Sequence, residues 1–285
     1  MPERIHPLLI EIQIHNGSRE SVIFHAKPEG AIDPIPILYA VGWGSTVKID
    51  TPGISALAEH GKDVWSFNPV REGKSASPTG ESFPEIEINK AQGAYDLLAY
   101  LRDKGVKEID VVAHSEGAMY TTIAALKAMQ EEAMPKIRSM VLIEPAGCLG
   151  KDSPAKLFGR FFKQAVLNML IDPETREFNK TNAGNLKEMF TKTMPDEVRA
   201  ISTTVIDDAL QILHDKYGVK IGVIAGEKDG VFPARRLKRM EQMAFVDRFI
   251  SMPIRHNGMY IKANEVVGQV VAMQRSFASE GSERK

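Results

Sequence analysis

Apolar and polar side chains alternate over residues 8–15, Asn16 and Gly17 supply a turn, and the alternation resumes over residues 21–25. That pattern predicts an antiparallel hairpin. After a Pro/Gly/Asp-rich stretch at 27–36 the period changes: residues 37–41 (ILYAV) are uninterruptedly apolar and run into glycines. Such a run predicts a short strand buried on both faces. Helical and apolar segments then take turns, with a helix at 54–60 before a strand at 64–68, a helix at 85–104 before a strand at 109–113, and a helix at 115–130 before a strand at 139–144. Repeated units of this kind predict an α/β fold, in which a mostly parallel central sheet carries helices on both faces and follows the N-terminal hairpin.

The alternation breaks over 151–216, where no strand pattern occurs and Ser153-Pro154 signals a helix start ahead of LFGRFFKQAVLNML. This segment is expected to be a helical cap insertion. Its last helix is expected to bring Val198, Ile201, Val205, Ala209 and Ile212 onto one apolar face. The strand pattern returns at 219–226 and, less regularly, at 245–252, with a helix between them at 234–243 and a final long helix from beyond His256 to about Ala278. The domain reading is therefore a core of residues 1–150 and 217–285 interrupted by a cap at 151–216.

One short stretch carries candidate chemistry. Residues 109–118 read IDVVAHSEGA, so Ser115 falls between a strand pattern and a helix pattern, with Gly117 two residues later. A sharp strand-to-helix turn of this kind needs small neighbours, and it lifts a serine hydroxyl above the end of a sheet. A serine that opens a helix is also a common N-cap. Ala113 stands where the usual G-x-S-x-G motif has its first glycine.

Four segments together resemble the α/β-hydrolase superfamily, more particularly its capped serine hydrolases and esterases: Val41-Gly42-Trp43-Gly44-Ser45 after a strand, Ala113-His114-Ser115-Glu116-Gly117, Gly226-Glu227-Lys228-Asp229 after a later strand, and His256 ahead of the last helix. The resemblance spans nearly the whole chain, and the order serine, acid, histidine is the one this fold uses. It implies Ser115 as nucleophile, His256 as general base and Asp229 as the acid that orients it. Glu144, at the end of the preceding strand, is the alternative acid because some relatives take theirs from there. Asp229 beside Gly230 is equally a good turn pair. Of the seven histidines, His6, His15 and His25 precede the core sheet and His60 and His214 lie near helix ends. His114 is implied to be a support residue.

The resemblance also implies an oxyanion hole formed by the backbone N–H groups of Trp43 and Glu116, with Gly42, Gly44 and Gly117 as supports. The family's frequent His-Gly pair appears here as Val41-Gly42, and residues 67–75 replace a loop that many relatives make rich in Asp, Arg and Gly. The Glu116 side chain is expected to be a solvated helix-start charge, with substrate contact as the alternative. In the cap, Phe158, Phe161, Phe162, Val166 and Met169 are candidates for a substrate pocket or for packing the cap onto the core. The implied activity is hydrolysis of a small to medium, partly apolar carboxylic ester. Lactone, thioester or carbon–carbon bond hydrolysis and a non-catalytic ligand receptor are the alternatives, and the chemistry calls for no metal or organic cofactor.

Composition narrows the partners. Hydrophobic residues at 43% and charged residues at 26% suit a globular core, and 36 Lys plus Arg against 37 Asp plus Glu leave a formal charge of -1. Such a balance provides no field for nucleic acid or acidic membranes. A single cysteine, Cys148, allows no internal disulfide and no thiolate metal cluster. The first residues lack the basic, apolar and small-residue order of a secretion signal. No segment offers the roughly 18 to 20 apolar residues of a membrane span. A cytoplasmic protein acting on a small molecule, without membrane insertion, is the expectation.

Overall fold

The computed structural model describes residues 9–16, 19–28, 33–69, 83–148, 150–171 and 192–282, with backbone alone at 15–16, 19–20, 165–171 and 280–282. Strands β1 (Leu9–Asn16) and β2 (Arg19–Ala26) form the hairpin that the alternation anticipates. They lead into β3 (Ile37–Ala40), β4 (Val64–Phe67), β5 (Glu108–His114), β6 (Lys136–Ile143), β7 (Lys220–Gly226) and β8 (Arg248–Met252). The eight strands make one sheet in the order β1-β2-β4-β3-β5-β6-β7-β8. β2 pairs antiparallel with β4, and every pairing from β4 through β3 to β8 is parallel.

Parallel strands buried on both faces send alternate side chains to opposite layers. In β5, Ile109, Val111 and Ala113 enter one cluster while Val112 enters the other. The first layer is closed by helices α2 (Glu85–Asp103) and α3 (Gly117–Ala128), and the second by α1 (Thr51–Glu59). The central strands therefore tolerate no polar break except where a partner is built in. Asp110, fully buried, has such partners in Arg138 Nε at 3.0 Å and Ser139 Oγ at 2.7 Å.

Between β6 and β7 the described residues form α4 (Pro154–Ile171), α5 (Met194–Thr203) and α6 (Asp207–Tyr217). The single last helix expected over Val198 to Ile212 is thus two helices. A β-branched run, Thr203 to Ile206, interrupts it: Thr204 is extended, and the buried Ile206 gives its N–H to the Gly147 carbonyl at 3.0 Å. α6 then packs Ala209, Leu210 and Leu213 into the first core layer, whereas Val205 and Ile212 are exposed. The helix expected at 234–243 is a short α7 (Ala234–Leu237) continued by a 3-10 turn over Lys238–Gln242. After β8 come α8 (Gly258–Ile261) and the long α9 (Ala263–Ser282), which packs Val266, Val267 and Val270 onto the second layer beside α1. No described helix is long and apolar enough to cross a membrane.

Candidate active site

β5 ends at His114, and the next residue turns the chain into α3. Ser115 makes that turn with φ of 55°, a left-handed value that costs a non-glycine residue on the order of 1–3 kcal/mol. Two backbone bonds to the neighbouring segment hold it there, from Ser115 N–H to the Ile143 carbonyl at 2.9 Å and from Ala146 N–H to the Ser115 carbonyl at 3.0 Å. Close packing sets the small residues around it. A Cβ on Gly117 would lie 2.7 Å from the Ala40 carbonyl oxygen, and one on Gly42 would lie 3.2 Å from Ser115 Cβ. The serine hydroxyl consequently stands above the carboxyl ends of β3 and β5.

The structure brings Ser115, His256 and Asp229 together. His256 follows β8, and its Nε2 lies 3.0 Å from Ser115 Oγ. Its Nδ1 lies 2.9 Å from Asp229 Oδ2, in the loop after β7. A carboxylate only accepts, so Nδ1 carries the hydrogen and the Nε2 lone pair faces the hydroxyl. The other carboxylate oxygen of Asp229 accepts the N–H groups of Val231 and Phe232 at 2.7 and 2.9 Å, which fixes its plane. All three side chains are buried, and Phe232 stands edge-on to the imidazole with ring centroids 5.2 Å apart.

Glu144 lies near the same ring nitrogen but does not bond to it. Its nearest oxygen is 3.8 Å from His256 Nδ1 and 3.5 Å from His114 Nε2, beyond ordinary hydrogen-bond reach. Burial, and next the charge of Asp229, push its carboxyl well above the usual range. His114 is also fully buried. Its Nε2 lies 3.0 Å from the carbonyl oxygen of His256, which makes Nε2 the donor, while the Tyr260 hydroxyl stands 3.2 Å from Nδ1. Burial, helped by the neighbouring His256, holds its pKa down to about 3, so the ring is neutral. His114, Glu144 and His256 bring potential metal-ligand atoms within 4.8 Å of one another. The histidine nitrogens nearest Glu144 are already donors to an oxygen, a poor fit to a metal, which needs their lone pairs.

Trp43 and Gly44 continue from β3 past Gly42, with Gly44 at φ of 68°. The loop is pinned by Ser45 N–H to the Gly42 carbonyl at 3.1 Å and by the Tyr120 hydroxyl to the Val41 carbonyl at 2.7 Å. Ser45 also bonds to the buried Asp50, which accepts the Tyr39 hydroxyl at 2.9 Å. Burial pushes the Asp50 carboxyl up to about 7.

The expected solvated charge at Glu116 is not what the structure holds. Glu116 is buried, and Lys90 Nζ of α2 lies 2.6 Å from its Oε1. The same ammonium lies 3.1 Å from Glu197 of α5, and Glu197 accepts the Trp43 indole N–H at 3.0 Å. The carboxylate turns inward because a buried cation waits there. Burial opposes the Lys90 charge, yet Glu116, Glu87 and Glu197 together hold its pKa above the ordinary lysine range. Glu87, beside them, is raised well above a normal carboxyl by burial and by Glu116.

Lys90, Glu87, Glu197, Asp50 and Tyr260 are absent from the sequence reading of the site. A signal exists for two of them. Glu87 and Lys90 fall in step with Ala91, Ala94, Leu98 and Leu101 on the buried stripe of α2, where a charge needs a partner. Of the apolar residues singled out between 151 and 216, Phe161 packs edge-on to Trp43 at 4.8 Å and Phe162 is exposed. The side chains of Val166 and Met169 lie outside the described residues.

No protein-family model and no curated sequence matches the chain. Solved structures do match it. A bromoperoxidase from Bacillus anthracis aligns over 92% of this chain and 100% of its own with a TM-score of 0.64 at 16% identity. A thermophilic esterase from Thermogutta terrifontis aligns over 95% and 99% with a TM-score of 0.61 at 15% identity. The enol-lactonase from Burkholderia xenovorans LB400 aligns over 91% and 97% with a TM-score of 0.58 at 17% identity. A likeness that extends over nearly the whole of each chain, together with the mostly parallel eight-stranded sheet and its flanking helices, gives this chain the α/β-hydrolase fold.

Proposed function

We propose that the protein is a serine hydrolase that cleaves carboxylic esters through an acyl-serine intermediate. The observation that carries the reading is the continuous relay from Ser115 Oγ through His256 to Asp229, at 3.0 and 2.9 Å, on a strained turn at the carboxyl edge of the sheet. A serine hydroxyl is a weak nucleophile near neutral pH, and a base within hydrogen-bond reach removes that limit. Its Oγ attacks the ester carbonyl carbon as the proton passes to His256 Nε2. Asp229 holds the ring in the required tautomer and stabilises the imidazolium. Collapse of the tetrahedral intermediate expels the alcohol, which takes the proton from His256. Water activated by the same nitrogen then releases the acid and restores the serine.

The developing oxyanion is received by the N–H groups of Glu116 and Trp43. Among the described residues neither of these donates to a backbone carbonyl, and Gly42 keeps the loop close to Ser115. Residues 151–216 act as the cap. The Phe161 contact with Trp43 supports this, because it lays α4 over the loop beside the serine and gives that side of the site an apolar wall. A small to medium ester with an apolar portion follows as the substrate class. The thermophilic esterase among the structural neighbours supports this class, and the enol-lactonase among them supports the lactone alternative.

A fluorophosphonate probe and a short-chain p-nitrophenyl ester series, with a thioester and a lactone as controls, test the reading. Wild type is expected to be labelled at Ser115 and to turn over esters, and Ser115→Ala to lose both. Ligand binding by wild type with no labelling and no turnover would make the protein a receptor on a hydrolase scaffold. Faster turnover of thioester or lactone would move the substrate class while leaving the relay in place.

A further inference from the structure

The two backbone donors just assigned to the oxyanion belong to residues whose side chains share one buried network. Trp43 lies in a loop with no repeating backbone hydrogen bonds, so its N–H direction depends on what anchors the residue. Its indole is held from the insertion, by the Glu197 carboxylate at 3.0 Å and by the edge of Phe161. Glu116 is held from the core, by Lys90 Nζ at 2.6 Å. Lys90 also reaches Glu197 at 3.1 Å, so one ammonium spans both anchors. Lys90, Glu116 and Glu197 are 1%, 2% and 0% exposed.

From this we infer that Glu197 and Lys90 are positioning residues of the oxyanion hole, Glu197 acting through the Trp43 indole and Lys90 through the Glu116 carboxylate. The inference rests on the acyl-transfer reading above. A buried ion cluster is a weak source of stability, since apolar residues of the same volume would often do as well or better. Two donors that must converge on one oxygen atom have a stricter need, because a displacement of about 1 Å can cost about a hundredfold in rate. Lys90 meets an electrostatic requirement as well. Without it, carboxylates beside the oxyanion would repel the charge that forms there, and the ammonium offsets them. The network also makes the hole depend on α5, so that the insertion contributes to turnover as well as to substrate choice.

The test is a double-mutant cycle on the whole chain, with a p-nitrophenyl ester as substrate. Trp43→Phe removes the indole donor and keeps an aromatic ring for Phe161; Glu197→Met removes the acceptor at similar volume. Each is expected to lower kcat about tenfold to a hundredfold with KM within about threefold, and the double variant to be no slower than the slower single. Glu197→Gln, which retains a carbonyl acceptor, is expected to recover most of the rate. Lys90→Met is expected to lower kcat independently of Trp43→Phe. Unchanged kcat in Trp43→Phe and Glu197→Met, or a double variant whose loss is the product of the singles, overturns the inference. If Glu197→Met does not fold, an unchanged kcat in Trp43→Phe alone does so. Fluorophosphonate labelling of wild type separates the two failures: a labelled enzyme with insensitive variants defeats only this inference, whereas an unlabelled one defeats the hydrolase reading beneath it.

Discussion

A hydrogen bond of 2.9 Å and a gap of 3.8 Å distinguish the two carboxylates nearest His256 Nδ1. Asp229 is held by two backbone N–H groups and faces the ring, while Glu144 is fully buried, its carboxyl held well above the usual range by burial and by the charge of Asp229. Asp229→Asn should therefore lower kcat steeply, up to about ten-thousandfold if the serine proteases are a guide. Glu144→Gln should leave kcat within a few-fold. Steady-state kinetics of the two folded variants decides, and loss of turnover in Glu144→Gln alone would transfer the acid role to it. The convergence of Ser115, Asp229 and His256 was legible at this scale because each lies in the turn or loop that follows a segment with strand character. Glu197 was not, because its significance comes from an indole 154 residues earlier in the chain, a pairing that no local pattern encodes.

At the scale of elements, the strands were read where the sheet buries both of their faces, since an unbroken apolar run such as residues 37–41 leaves few alternatives. The segment between β6 and β7 was read less well. Its helical character is visible in the spacing, but the break at Thr204 is set by Ile206 reaching Gly147 in another loop, a tertiary contact that overrides helical periodicity. The turn from β5 to α3 carries the sharpest local demand. Gly117→Ala would force a Cβ to within 2.7 Å of the Ala40 carbonyl oxygen, and neither backbone can retreat without moving β3 or Ser115. Destabilisation of about 1–3 kcal/mol is expected, measured by urea unfolding, accompanied by a fall in kcat that Gly159→Ala, at an open position, should not show.

For the whole molecule, two buried groups tilt stability in opposite directions with pH. Asp50 has a pKa of about 7 against an ordinary value of 3.8, so the folded state binds the extra proton. Its contribution is fully present below about pH 4 and is lost as pH rises through 7. His114, at about 3 against 6.5, leaves the unfolded state with the extra proton, and its contribution is lost as pH falls from 6.5 toward 3. Between about pH 4 and 6.5 the two slopes, each about 1.4 kcal/mol per pH unit, oppose one another. Relative to wild type, Asp50→Asn should become more stable as pH rises across that window and His114→Gln less stable. Urea midpoints at pH 4.5 and 6 check both signs, and parallel behaviour of the two variants would contradict the assignment.

The order in which the chain lays down its site has a bearing on synthesis. Ser115 is in place once β5 and α3 exist, but the imidazole that meets it arrives only with the segment after β8, and α9 must still cover the second layer beneath that edge. Domains fold as units and from the N-terminal side as they emerge from the ribosome. A nascent chain that has not yet delivered the segment after β8 thus holds Ser115 without the imidazole that meets it in the folded structure.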